Sequence, residues 1–321
     1  MVWLLPVAGG FLLDLLLGDP PRLYHPVRLV GALITGLERL LRRVFPATPS
    51  GLRAAGAVLA GAVPAVTAGA AWGLLCLAGM AHPGLRLALA TWMCYRILAA
   101  RALQKESMLV YDRLNAGDLP GARENLARIV GRDTAALDAA AVTRAAVETV
   151  AENTSDGVIA PLFYLALGGP VLGWCYKAVN TLDSMVGYKD ERYRDFGCAS
   201  ARLDDLVNWI PARLSALLMI PAAALTGLDA AGALRIWRRD RRRHPSPNSA
   251  QTEAACAGAL GVRLAGGAGY GGVWREKPFL GDDARPVTPR DIPRACRLML
   301  AASVLALLLF AAAVLWINFI S

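Results

Sequence analysis

Between Glu152 and Lys189 the chain reads ENTSDGVIAPLFYLALGGPVLGWCYKAVNTLDSMVGYK. An apolar run is closed at both ends by carboxylate, amide and hydroxyl groups, and Gly168-Gly169-Pro170 interrupts its middle. A plain membrane-spanning helix carries neither feature. Ionisable groups at membrane depth are costly and mark function by default. A Gly-Gly-Pro break frees backbone groups that lipid cannot satisfy, so the broken segment must be buried in protein. This stretch therefore forces a protein-lined element with two polar rims, and the rest of the chain has to house it.

Composition supports a membrane setting. Of 321 residues, 55% are hydrophobic, and mean hydropathy is +0.41, more apolar than a soluble domain of this length. Ala, Leu and Gly dominate the apolar content, which suits helices whose backbones approach closely. The net charge of +9, from 34 Lys and Arg against 25 Asp and Glu, fits anchoring on anionic lipid and equally the recruitment of phosphorylated ligands. Nucleic acid is excluded as a partner, because the basic residues flank apolar segments and no binding motif occurs. Cys76, Cys94, Cys175, Cys198, Cys256 and Cys296 show no C-x-x-C spacing and read as small packing residues. The start, MVWLLP, lacks a basic stretch and a small-residue cleavage site, so it is expected to be retained.

Apolar runs at 2–17, 51–80, 85–100, 158–175, 206–228 and 298–319 alternate with polar stretches. The expected fold is an all-α integral membrane protein with about five to six membrane helices. One of these is expected to be re-entrant, and an extramembrane helical hairpin and a loop-rich region complete the fold. The whole is expected as a single polytopic domain over 1–321, with extramembrane segments 101–157 and 229–296. If every run crossed fully, the polar residues after 176 would face the side opposite those at 152–157. A turn back at Gly168-Gly169-Pro170 removes that conflict. Asn115 to Gly121 reads as the turn of the extramembrane hairpin, with Asp118 capping its second helix. Arg96, near the end of an apolar arm, reads as snorkelling. The prolines of GDPPRLYHPVRLVG (18–31) make a shaped loop bearing Asp19, Arg22, His25 and Arg28.

Glu152 and Asp156 lie four apart and share a face if the segment is helical. With Asn153, Thr154 and Ser155 they suit magnesium and phosphate oxygens, and the same letters suit a helix N-cap. Lys177, Asn180, Ser184 and Gly187 recur at helical spacing beside Asp183. Asp204, Asp205 and Asn208 form a further acidic-amide cluster. Gly267 to Gly272 matches G-x-G-x-x-G literally but belongs to no βαβ unit, so it reads as a loop whose backbone approaches a ligand. His25, His82 and His244 have no zinc spacing. No P-loop, kinase, G-x-S-x-G or H-E-x-x-H signature occurs.

The stretches DLLLGDPPRLYHPVRLVG (14–31), ENTSDGVIAPLFY (152–164), YKAVNTLDSMVGYK (176–189), FGCASARLDDLVNWIPARL (196–214) and HPSPNSAQTEAACAGALGVRLAG (244–266) follow one another over nearly the whole chain. In these the sequence resembles the CobD/CbiB family of cobalamin biosynthesis, adenosylcobinamide-phosphate synthase. The resemblance implies a multi-pass inner-membrane ligase, with its active site on the cytoplasmic side. It would join adenosylcobyric acid to an aminopropanol, commonly the O-phosphate, through an amide bond. ATP and Mg2+ are the implied cosubstrate and cofactor. The implied partners are the corrinoid, the aminopropanol, the lipid bilayer, and either a second copy or later membrane enzymes of the pathway.

The reaction asks for carboxylates on magnesium, cations on phosphates and one base. Glu152, Asp156, Asp183 and Lys177 are the catalytic candidates, and Asp19, Glu152, Asp156 and Asp183 the metal candidates. Arg28, His25, Lys189 and Arg202 are assigned to phosphate, and Asn153, Ser155, Asn180, Ser246 and Asn248 to positioning. Glu253 and Tyr270 are placed at the corrin pocket. The alternative from another class is a corrinoid-binding or transporting membrane protein without ligase chemistry.

Overall fold

The computed structural model describes residues 3–20, 23–188 and 190–320. The chain is mostly helical and divides into two compact units. The first holds Met1–Leu98, Pro161–Asn208 and Phe310–Ser321, and the second Ala99–Ala160 and Trp209–Leu309. Both segments expected outside the membrane fall in the second unit.

In the first unit, local chemistry sets the helix boundaries. Thr48 accepts from the Gly51 N–H at 3.2 Å and starts helix Pro49–Ala81. His82 ends that helix, and its Nδ1 accepts from the Gly84 N–H at 3.0 Å to start Pro83–Tyr95. One residue thus turns the hairpin expected around 82–84. Helix Val27–Val44 buries Val30, Ile34 and Leu41 on one face. Its buried Glu38 draws in Arg42 at 2.9 Å and Arg192 at 3.2 Å.

The element Ala160–Val186 contains the predicted break. Gly168 and Gly169 leave helical geometry, and Gly169 sits at φ 61°, a conformation that costs an L side chain about 1–2 kcal/mol. The rings of Tyr164 and Tyr176 stack with centroids 5.0 Å apart. In a straight helix twelve residues would separate them by roughly 18 Å. The chain therefore doubles back at Gly168-Gly169-Pro170, and the two arms pack on each other. Tyr164 donates to the Val207 carbonyl at 2.8 Å and Tyr176 to Asn208 Oδ1 at 2.9 Å, tying both arms to the same helix end.

By length and composition three helices can cross a membrane, Pro49–Ala81, Ala139–Val186 and Asp291–Ile317, or four if Cys198–Val207 and Trp209–Leu225 form one bent span. The middle one contains the fold-back and is not a single straight crossing. Among the described residues this falls below the expected five to six spans by the length criterion alone. Leu4–Leu17 has 14 residues and Pro83–Tyr95 has 13; at ~1.5 Å per residue each falls well short of a ~30 Å hydrocarbon core.

The second unit opens with the expected extramembrane hairpin, Ala100–Asn115 and Leu119–Ala127, in which Asp118 accepts from the Gly121 N–H at 2.9 Å. Helix Ala139–Asn153 begins at an Asp138 cap, 2.7 Å from the Ala141 N–H, and runs into a π-helical turn, Thr154–Ile159. Helix Ser249–Leu260 is the centre of this unit. Its residues from Ala250 to Leu260 are all buried, because alanine and glycine let Ala230–Asp240 and Trp209–Leu225 pack against it. The loop-rich region is not strand-free, as the sequence led us to expect. Leu264–Ala265 pairs with Phe279–Leu280, and Ala268–Tyr270 with Val273–Arg275, all antiparallel. Strands of two or three residues are too short to leave an alternating pattern. All six cysteines are free, in keeping with their reading as packing residues.

Candidate functional site

The second unit encloses a cavity of about 220 Å³. Helix Ala139–Asn153 presents Glu148 and Glu152 to it from successive turns, and helix Ser249–Leu260 presents Glu253. Glu148 is fully committed. It pairs with Arg132, and its Oε1 accepts from the Ala265 N–H at 2.7 Å. That bond holds Ala265 at φ 61°, the one described non-glycine residue with positive φ. Glu152 accepts from the Ser249 hydroxyl at 3.0 Å. Glu253 is 5% exposed, lines the cavity, and accepts no hydrogen bond among the described residues. Burial pushes its carboxyl well above the usual range, and Glu152 and Glu148 push the same way against Lys277 and Arg132.

Cations and hydroxyls complete the lining. Lys277 donates to the Tyr270 hydroxyl at 2.9 Å. His244 accepts the Ser246 N–H on Nδ1 at 3.0 Å, which leaves its proton on Nε2. Burial, then Lys277 and Arg132, push its pKa down to about 4, so the ring is neutral. Asn153 also lines the cavity and donates to the Thr149 carbonyl at 3.0 Å.

Of the residues expected here, Glu152, Asn153, Glu253 and Tyr270 line the cavity. Asp156 and Ser155 sit on the π-helical turn and do not. Hydrogen bonds from i to i+5 widen that turn, so a spacing of four no longer returns to one face. Ser246 instead starts the Glu253 helix, its Oγ accepting the Asn248 N–H at 3.2 Å and the Ser249 N–H at 3.4 Å. Asn248 accepts from Arg213 at 3.3 Å. Sequence reasoning missed Glu148, Arg132, His244 and Lys277. Only Glu148, one helical turn before Glu152, left a readable signal.

The first unit has its own polar centre. Arg96 does not snorkel: its side chain is 2% exposed and lies 2.9 Å from Asp19. Asp19, expected among the metal ligands, is thus the counter-ion of a buried guanidinium. His25 accepts the Val27 N–H at 3.1 Å, and burial, then Arg96 and Lys177, push its pKa down to about 4 against Asp19. Further along the Lys177 helix, Asn180 and Asp183 lie near Asp204, which also faces Asp205. Arg28 lies over the Tyr24 ring, 5.0 Å from its centroid, and Arg202 is exposed. Lys189 lies outside the described residues.

The metal candidates are not gathered into one cluster. Asp19 and Asp183 belong to the first unit, Glu152 and Asp156 to the second, and no three His, Cys, Asp or Glu groups among the described residues could hold a metal together. Magnesium does not require three. It is usually bound by one or two carboxylates plus substrate phosphates, and Glu152, across the cavity from Lys277, suits that mode. The cavity is below the ~300–1,000 Å³ of pockets that enclose a drug-sized ligand, so it admits a phosphoryl group or a short amine rather than a corrin ring.

A family model described as CobD/Cbib protein matches residues 7–299. The chain is 51% identical to the cobalamin biosynthesis protein CobD of Klebsiella pneumoniae over 98% of each chain. It is 52% identical to CobD of Pelobacter propionicus over 92% of this chain and 91% of that one. It is 50% identical to the cobalamin biosynthesis protein CbiB of Salmonella typhi over 95% of both. No solved structure matches. With a family match across most of its length and relatives at about half identity end to end, the chain belongs to the CobD/CbiB protein family.

Proposed function

We propose that this protein is a membrane enzyme of cobalamin biosynthesis. It forms an amide bond between a corrinoid carboxylate and an aminopropanol or its O-phosphate, at the expense of ATP. The observation that carries this reading is the small cavity, in which Glu152 and Glu253 face Lys277 and Arg132.

A carboxylate is inert toward an amine until its oxygen takes the γ-phosphoryl group of ATP, which releases ADP and leaves an acyl phosphate with a good leaving group. In this reading Lys277 and Arg132 donate to phosphate oxygens and balance the charge that develops there. Bound Mg2+ would supply further charge neutralisation, with Glu152 as the carboxylate that holds it. Glu253 takes the proton that leaves the ammonium as it becomes a nucleophilic amine. Burial, then Glu152 and Glu148, raise the pKa of this carboxyl, which makes its carboxylate a stronger base for that task. His244, held neutral, donates from Nε2. The amine nitrogen bonds to the acyl carbon, and inorganic phosphate departs.

The test uses full-length protein in detergent with ATP, Mg2+, adenosylcobyric acid and aminopropanol phosphate. One ADP per amide is expected. A protein that binds corrinoid but forms no ATP-dependent product is the binding or transport alternative, and that result overturns the reading. We place the cavity on the cytoplasmic face of the cell membrane, where ATP is available. A cysteine introduced at exposed Glu276, on a cysteine-free background, should react with an impermeant maleimide only from that side.

A further inference from the structure

The glycine-rich hexad Gly267–Gly272 has no part in the proposed chemistry, and its backbone is already engaged. Gly271 and Gly272, at φ 58° and 80°, turn strand Ala268–Tyr270 into Val273–Arg275. Their two N–H groups donate to one carboxylate, Asp133, at 3.1 and 2.8 Å, and the Asp133 N–H donates back to the Gly269 carbonyl at 2.9 Å. Three bonds therefore join the turn that carries Arg132 to the tip of the hairpin that carries Tyr270 and leads to Lys277.

The same two segments are tied a second time, deeper in the unit. Glu148 holds Arg132 with one oxygen and the Ala265 N–H with the other. The inner tie is buried and belongs to the core. The outer tie is exposed to solvent, so the core does not depend on it. The outer tie fixes the spacing between Arg132 on one side of the cavity and the Lys277–Tyr270 pair on the other.

We infer that Asp133 is a positioning residue: it latches the Gly271-Gly272 hairpin tip to the Arg132 turn and so holds Lys277 and Arg132 at the spacing that binds a phosphate-bearing substrate. The inference rests on the proposed function for the identity of that substrate, but not for the latch itself. A glycine at both turn positions is what allows two successive amides to converge on one carboxylate. Such a tie removes an ordering cost that substrate binding would otherwise meet.

Asp133→Ala in the full-length enzyme tests it. The expected result is a KM about tenfold higher for ATP or for aminopropanol phosphate, with kcat at saturation little changed, since lost pre-organisation weakens binding before it touches chemistry. Asp133→Asn, which keeps one acceptor oxygen, should fall between. Trypsin cleavage after Arg275 should be faster in Asp133→Ala at an unchanged melting temperature. A wild-type enzyme that makes amide, with kinetics unaltered by Asp133→Ala, overturns the positioning role. Unaltered cleavage after Arg275 overturns the latch, and so does a fall in melting temperature that accounts for the whole kinetic loss. If the wild-type protein makes no amide, the functional reading fails, and the cleavage arm still decides the latch.

Discussion

Two ion pairs, one in each unit, bury opposite partners. In the second, the acid is inside: the Glu148 side chain is 4% exposed and its partner Arg132 20%. In the first, the base is inside: Arg96 is 2% exposed and its partner Asp19 46%. Each centre also holds one titratable group that burial and like charges press toward neutrality. Glu253 is pressed by Glu152 and Glu148, and His25 by Arg96 and Lys177. The surroundings of Glu253 hold excess acid and those of His25 excess base. Identical chemistry at the two places would predict the same response to substitution, and the structure predicts different ones.

The largest expected effect separates function from stability. Glu253→Gln removes the proton acceptor while keeping volume, so amide synthesis should fall about 100- to 1,000-fold, as for loss of a general base. The melting temperature should not drop, because burial and the neighbouring Glu152 and Glu148 penalise the charge that the amide removes. Retained activity would remove Glu253 from the reaction. A loss of both would make it structural.

Next come the ion pairs, where the more exposed partner should matter more. Asp19→Ala strands a buried guanidinium, and Arg132→Ala strands a buried carboxylate, at about 3 kcal/mol each. Arg96→Met leaves Asp19, 46% exposed, free to hydrate, and should cost about 1 kcal/mol. Chemical unfolding in one detergent checks the order, and equal losses for Asp19→Ala and Arg96→Met would break the asymmetry. Gly169→Ala comes below these, at about 1–2 kcal/mol for the positive φ. The added methyl would also press on the Trp3 ring, so the loss should reach the upper end of that range.

These sites differ in how readable they were. Gly168-Gly169-Pro170 announced the fold-back because backbone chemistry is local. Long apolar helices such as Pro49–Ala81 were equally plain, whereas Leu4–Leu17 and Pro83–Tyr95 looked like spans until their lengths were known. Glu152, Asn153, Glu253 and Tyr270 were found through their motifs. Asp156 leaves the face of Glu152 on a π turn, which no residue pattern announces. Arg96 read as snorkelling because its partner, Asp19, is 77 positions away, the same separation as the Tyr95 to Gly18 bond beside it. Arg132, His244 and Lys277 come from three separated segments, and no spacing in the sequence says that they converge.

The smallest effect is a pH slope, and it tests whether burial and the cavity's cations hold His244 neutral. The folded protein holds His244 down to about 4, against 6.5 for the free side chain. Between those values the unfolded chain binds more protons than the folded one, so stability rises with pH across that window and is complete above it. Exposure to solvent screens the shift, and the slope should amount to about 1 kcal/mol. Glu253 runs the other way. Its raised folded pKa means that the folded state binds more protons above the ordinary glutamate value, so its contribution declines as pH rises. His244→Gln should flatten the acid-side rise and Glu253→Gln the decline on the alkaline side. If His244→Gln leaves the acid-side slope intact, then neither burial nor Lys277 and Arg132 hold that imidazole neutral.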